Sequence, residues 1–165
     1  MKDQTISFRY GSIVGIALIA YFLLLSLIGL HIQPVFSVMN IVITGAGIYL
    51  VIKNLKKLKG EKFRYQHGFS AGLVTGFTAT AVCAVFFALY IIELNPGFTD
   101  EFMTMWKFDW FAKKGMLILT VILMGAATTM VLTLAFMQLF KDSWNTKEGR
   151  KHTISKDKGK SEKHG

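Results

Sequence analysis

The residues able to carry acid–base or metal chemistry are few and scattered along the chain. Acidic residues cluster only at Asp100, Glu101 and Asp109, and the four histidines lie far apart. No segment has the spacing of a metal-ligand set or of a nucleophile beside its base. The single cysteine, Cys83, cannot form an intramolecular disulfide, and we interpret it as a small buried apolar residue. We therefore predict a non-enzymatic protein with no cofactor and no metal.

Polar side chains within the apolar part of the chain are neutral. Glu93, His31 and His67 fall at the ends of apolar runs, whereas an ion pathway or proton relay needs such groups at depth. This disfavours a proton-coupled exporter. Smaller polar residues also fall within the apolar part of the chain, and they either line a polar seam or form hydrogen bonds between helices. These residues are Asn40, Thr44, Thr75, Thr78, Thr128 and Gln138.

The elements that must position these residues are four long apolar runs. Runs 12–30, 35–52, 68–92 and 115–140 contain no Asp, Glu, Lys or Arg, although the chain carries 29 such residues in all. As helices they are about 27 to 39 Å long, enough to cross a hydrocarbon core of about 30 Å. We predict an all-α fold, an integral membrane bundle of four transmembrane helices. The first run is interpreted as an uncleaved helix, since no small-x-small cleavage site follows it.

The distribution of Lys and Arg predicts the orientation. The head (1–11), the second connection (53–67) and the tail (141–165) hold 16 of them, against 3 in the other two connections. Both termini are therefore expected in the cytoplasm, with the basic loops attracted to anionic lipid headgroups. The same charges need no nucleic-acid partner. We assign 1–143 to the transmembrane domain and 144–165 to a disordered basic cytoplasmic tail.

The connections carry turn and anchor signals. Pro34 is expected to open the second helix, and Gly60 to end it after a lysine-rich overhang in which Leu55 and Leu58 lie on the membrane surface. In the outer third connection, 100–112 predicts a short amphipathic interfacial helix. Its anchor residues repeat every four positions and are Phe102, Trp106 and Trp110. The alternative is a lid over the bundle.

Small residues form the strongest pattern inside the membrane. They recur every four positions in the third and fourth runs, at Gly68, Gly72, Gly76, Thr80, Ala84 and Ala88, and at Gly125, Thr129 and Thr133. Such a stripe lets two helix backbones approach closely. Its partner is either another helix of the same chain or a second subunit.

A faint internal repeat relates the two halves. Phe8-Arg9-Tyr10 precedes the first run and Phe63-Arg64-Tyr65 the third, and the two prolines, Pro34 and Pro96, follow those runs. A duplication would give two hairpins related by an axis along the membrane normal. The separations within the two halves differ, so chance similarity is the alternative.

Four short motifs carry a family resemblance. They are Tyr10-Gly-Ser-Ile-Val-Gly15, Gly60-Glu-Lys-Phe63, Gly68-Phe-Ser-Ala-Gly72 and Asn95-Pro-Gly-Phe98. Over roughly residues 5 to 140 the chain resembles an uncharacterised family of bacterial four-span membrane proteins, known only as a domain of unknown function. The resemblance implies a bacterial inner-membrane location and brings no catalytic residues.

From these features we expect a scaffolding or association protein that packs through small-residue helix faces. Its partners are the lipid bilayer and a second copy or another membrane protein. The alternative is a subunit of a small-solute channel or transporter, and a membrane enzyme ranks third. A channel would need polar residues on one face through the full depth of a helix, which the sequence lacks.

Overall fold

Four long helices make up the bundle. The computed structural model describes residues 2–29, 34–60, 63–95, 97–98 and 114–140, and these residues are helical with short connecting turns. The helices are α1 (Lys2–Ile28), α2 (Ser37–Lys59), α3 (Tyr65–Leu89) and α4 (Lys114–Leu139). Each is long and apolar enough to cross a membrane, which confirms the predicted four-helix, multi-pass architecture.

Local sequence explains where the helices begin and end. Pro34 opens a 3₁₀ turn, Pro34–Phe36, that leads directly into α2. Gly60 ends α2 at a φ of 50°, where glycine avoids the Cβ clash of other residues, and its N–H donates to the Lys56 carbonyl. At the start of α3 the Arg64 N–H donates to Nδ1 of His67 at 3.2 Å.

The third helix lies at the centre of the bundle. Its most extensive contacts are with α1, followed by α4 and α2. Gly11 and Gly15 of α1 lie against Thr78 and Val82 of α3, so these two helices run parallel. Helices that follow one another in the chain are antiparallel, as expected for short connections. These pairs are α1 and α2, α2 and α3, and α3 and α4.

The two halves of the bundle do not obey a two-fold axis. Such an axis would exchange α1 with α3 and α2 with α4. The contact between α1 and α4 would then be as extensive as the contact between α3 and α2. Among the described residues α2 and α3 pack together extensively, whereas α1 and α4 have no comparable contact. The repeat in the sequence therefore has no counterpart in the packing of these helices.

The largest core cluster lies towards the end of α2. Ile48, Val51, Ile52 and Leu55 are fully buried there, with Met137 of α4 against them. The prediction that Leu55 lies on the membrane surface is thus wrong, although Leu58 is 64% exposed. Leu55 follows Ile48 by two helical turns and so shares its inward face, despite the lysines on either side.

A lysine closes the same end of the bundle. Lys56 Nζ donates to the Phe140 carbonyl at 3.2 Å and lies 6.0 Å from the centroid of the Phe140 ring. Phe140 follows the last residue of α4, where carbonyl groups have no partner within the helix and favour a cation. The contact therefore joins the last turn of α2 to the end of α4.

Candidate functional site: the close contacts of α3 and the groove at its start

The small residues of α3 face the small residues of α4 in one antiparallel register. Gly68, Gly72, Gly76 and Thr80 lie opposite Met137, Thr133, Thr129 and Gly125 in turn, so each step of four along α3 is a step of four back along α4. A Cβ atom added to Gly76 would lie 2.5 Å from Oγ1 and 2.8 Å from Cβ of Thr129. At Gly72 and Gly76 a Cβ would overlap the facing threonine side chain of α4, so the two helices pack more closely there than a larger residue would allow.

The helix that supplies the glycine changes once along the contact. Glycine is on α3 at the first three positions and on α4 at the fourth, where a Cβ on Gly125 would lie 2.7 Å from Oγ1 of Thr80. Further along α3, Ala84 is buried and Ala88 is half-buried. From Gly68 to Thr80 the small-residue stripe is thus used within the chain, against α4.

Two threonine hydroxyls are sealed inside this contact. Thr129 and Thr133 are fully buried, and their Oγ1 atoms have no hydrogen-bond partner among the described residues. One of the two Cα hydrogens of a glycine points along the direction that a Cβ would take, so at Gly76 and Gly72 one hydrogen points towards these oxygens. Such Cα–H···O contacts contribute about 0.5–1 kcal/mol each and give the hydroxyl oxygens an acceptor role.

A second close contact joins α1 to α3. A Cβ added to Gly11 would lie 2.6 Å from Cβ of Thr78 and 2.7 Å from the Thr75 carbonyl oxygen, and one on Gly15 would lie 2.8 Å from Cβ of Val82. Beside it, Thr75 Oγ1 donates to the Ser7 carbonyl at 3.2 Å. This contact was not predicted from the sequence, although the four-residue spacing of Gly11 and Gly15 is the signal that marks it.

The remaining polar candidates do not form one seam. Thr44 and Thr75 are buried, Asn40, Thr78 and Thr128 are half-buried, and Gln138 is exposed. Thr75 is used in the bond from α3 to α1. Interhelical bonding therefore explains Thr75, and Gln138 lies outside any internal path.

The C-terminal end of α3 departs from the α-helix. Tyr90–Leu94 form one π-helical turn, in which the Asn95 N–H donates to the Tyr90 carbonyl at 2.7 Å. The Tyr90 side chain is 5% exposed, and its hydroxyl lies 2.8 Å from Ser26 Oγ of α1. Phe22 packs edge-on against its ring at 4.9 Å. Aromatic packing and one hydrogen bond thus hold this turn against α1.

A polar groove lies between the first turns of α1 and α3. We call it the α1–α3 groove; its volume is about 420 Å³, and it is lined by Gln4, Ser7, Gln66, His67, Ser70, Ala71 and Val74. Gln4, Gln66 and Ser70 are exposed, His67 is half-buried, and Ser7 and Ala71 are buried at its base. Of the seven lining residues that the structure describes, five have polar side chains and none is acidic.

Comparison with known proteins gave one family. The family described as "Protein of unknown function (DUF4199)" matches residues 9–141, a range that includes α2, α3, α4 and most of α1. The chain belongs to the DUF4199 family. This confirms the resemblance to an uncharacterised family that the short motifs indicated. No curated protein and no solved structure matched the chain.

Several predicted features of this DUF4199 member lie outside the described residues. The anchor residues Phe102, Trp106 and Trp110 belong to the range 99–113, and the basic tail to 141–165. In the part of the DUF4199 chain that the structure describes, no three His, Cys, Asp or Glu side chains are grouped as a metal ion would require. The candidate site of this member is therefore built from the close contacts of α3 and the α1–α3 groove.

Proposed function

We propose that this protein is a non-enzymatic scaffolding or association protein of the membrane. The observation that carries the proposal is the close packing of α3 against both α4 and α1. Gly72 and Gly76 leave no room beside Thr133 and Thr129, and Gly11 leaves none beside Thr78. A bundle packed in this way is a rigid body that presents helix surfaces, rather than a single-chain pore.

The outer face of α4 is the surface we assign to association. Of the four helices, α4 has the smallest buried share. Large apolar side chains that are about half exposed or more lie along it, including Leu119, Leu123, Met130 and Leu134. Methionine adapts to irregular partners, and lipid or a second membrane protein can cover such a face equally well. The partner is a second copy of the chain or another membrane protein, and no nucleic acid is involved.

We further propose a bacterial inner-membrane location with both termini in the cytoplasm. The Lys and Arg excess in 1–11, 53–67 and 141–165 supports this orientation. The last turn of α2 contributes Lys56, Lys57 and Lys59 to the same side, where anionic headgroups attract them. On the opposite side, 100–112 would lie along the membrane surface as an interfacial helix anchored by Phe102, Trp106 and Trp110.

The alternative is a subunit of a small-solute channel or transporter. Two observations favour it: the polar α1–α3 groove at one end of the bundle and the π-helical turn at the other, a feature frequent at functional sites. Since α3 is closed against α1 and α4, the path would have to form between subunits.

Cysteine crosslinking in native membranes tests the association. Leu123→Cys on α4 and Ile13→Cys on α1 are matched, because the two side chains are 59% and 63% exposed. Both are placed in a Cys83→Ala background. We expect a short lipid-soluble crosslinker to give a discrete adduct through position 123 and none through position 13.

A flux assay separates the two functions. Purified protein is reconstituted in liposomes, and the permeability to glycerol, small amino acids and monovalent ions is compared with that of empty liposomes. We expect no difference. Saturable solute flux, or equal crosslinking at both cysteines, would overturn the association proposal, and the former would favour the transporter.

A further inference from the structure

The α1–α3 groove has the chemistry of an anion-binding site. Gln4 and Gln66 contribute amide groups, Ser7 and Ser70 contribute hydroxyl groups, and no Asp or Glu is among its described lining residues. The two amides and the Ser70 hydroxyl can donate hydrogen bonds to a ligand and can also accept them, whereas Ser7 is buried and already has a partner. A ligand rich in negatively charged oxygen atoms matches this set, since charge-assisted hydrogen bonds are the strongest ones available.

The imidazole of His67 adds a donor whose position is fixed. Its Nδ1 accepts the Arg64 backbone N–H at 3.2 Å, and the His67 N–H donates back to the Arg64 carbonyl at 2.9 Å. With Nδ1 occupied as an acceptor, the neutral ring carries its proton on Nε2. His67 lines the groove, so its imidazole is one of the polar groups that surround a ligand there.

The groove lies at the starts of α1 and α3, near two arginines. Arg64 directly precedes α3, and Arg9 lies two residues after Ser7 and so on another face of α1; both are exposed. An arginine in this position lies at the membrane interface, where its charge meets phosphate and water. The groove therefore lies at the first turns of two helices able to span the membrane, at the same end of the bundle as these two arginines.

We propose that the α1–α3 groove binds the phosphate group of an anionic phospholipid. The phosphate oxygens accept from His67, Gln66 and Ser70, and the hydroxyls of a headgroup such as glycerol exchange hydrogen bonds with Gln4. This site is separate from the lysines at the end of α2, which attract anionic lipid without a groove. It is independent of the scaffolding function and of the orientation of the bundle.

Lipid retention of the full-length protein tests the proposal. Protein purified in mild detergent is titrated with phosphatidylglycerol, and bound lipid is counted by native mass spectrometry. Diacylglycerol with the same acyl chains is the phosphate-free probe, and inorganic phosphate is the lipid-free probe. We expect saturable retention of phosphatidylglycerol and none of diacylglycerol.

Two variants locate the binding. Gln66→Ala/Ser70→Ala removes two donors at exposed positions, so the fold is retained and the thermal unfolding of the lipid-free protein is unchanged. We expect it to weaken phosphatidylglycerol binding about tenfold or more, equivalent to about 1.4 kcal/mol. Lys57→Gln, at an exposed position of α2, is the control for diffuse electrostatic attraction and should change binding less than about twofold.

The outcomes are distinct. Saturable binding of inorganic phosphate that the double variant abolishes supports the same phosphate site with a soluble ligand as its source. Equal losses in the double variant and in Lys57→Gln, or equal retention of phosphatidylglycerol and diacylglycerol, would overturn the proposal. So would failure of both phosphate-bearing probes to bind.

Discussion

Replacing Gly72 by alanine provides the sharpest test of the contact between α3 and α4. The added Cβ would lie 2.7 Å from Cγ2 and 2.9 Å from Oγ1 of Thr133. Ordinary contacts between carbon atoms are about 3.5–4.0 Å, so the two helices must separate by up to about 1 Å or Thr133 must leave its rotamer. Overpacking of this kind costs about 1–3 kcal/mol, partly offset by the better helix propensity of alanine, about 0.5–1 kcal/mol.

Gly45 supplies the matched control on α2. A Cβ there would meet Leu132 and Phe136 of α4 at 3.7 Å, an ordinary van der Waals distance. Gly45→Ala should therefore be neutral or stabilising. The two variants are expected to differ by about 2 kcal/mol, which corresponds to about 4–8 °C in the midpoint of thermal unfolding for a chain of this size.

A compensating substitution identifies the partner. Thr133→Ala removes both atoms that clash with the new Cβ and leaves Cγ2 of Ile48, at 3.3 Å, as the nearest one. In the double variant the two changes should be non-additive, with the pair more stable than the sum of the single losses by about 1 kcal/mol or more. The assay is thermal unfolding in mild detergent, followed by size-exclusion chromatography of the remaining folded protein.

Two results would refute the reasoning. If Gly72→Ala is as stable as Gly45→Ala, the backbones of α3 and α4 do not approach closely at this position. If Gly72→Ala is destabilising but Thr133→Ala gives a purely additive loss, the clash involves another surface, such as a second subunit.

Three other predictions concern the core, the topology and the outer connection. Leu55→Ala should lower the free energy of unfolding by about 2–5 kcal/mol because Leu55 is fully buried. Leu58→Ala, at a 64% exposed position, should change it by no more than about 0.5 kcal/mol. Equal losses in thermal unfolding would contradict the core assignment. Reporter fusions after residues 60 and 150 should report cytoplasm and those near 33 and 104 the outside, and a cytoplasmic signal at 104 would remove the proposed orientation. In a Trp144→Phe background, lipids brominated at shallow positions should quench the fluorescence of Trp106 and Trp110; no quenching of either would reject the interfacial helix in favour of a lid.

The number of helices was predictable because the bilayer imposes one requirement on the whole chain. Backbone polar groups in lipid must be satisfied within each segment, so long uncharged runs become helices. The surface that packs against the small-residue stripe was harder to predict. The stripe on α3 predicts a close approach, but Gly72 alone carries no information on whether α4 or a second subunit supplies the opposing Thr133.

Other features depended on residues distant in sequence. Leu55 was assigned to the membrane surface because lysines surround it, yet its spacing from Ile48 and Ile52 already placed it on the inward face. The α1–α3 groove has no local signal, because Gln4 and Gln66 are brought together by the parallel packing of two helices far apart in the chain. The polar residues of each helix start, taken separately, are ordinary interfacial residues.

The central place of α3 has a consequence for the order of assembly. The chain is made from its N-terminus, so α1 leaves the ribosome and can enter the membrane before α3 does. The most extensive contact of α1 is nevertheless with α3. During this interval the glycine face at Gly11 and Gly15 has no permanent neighbour and is open to lipid or to the insertion machinery. A chain that stopped before Tyr65 would retain this narrow, uncovered face, a feature by which a membrane protease could distinguish an unfinished product from the completed bundle.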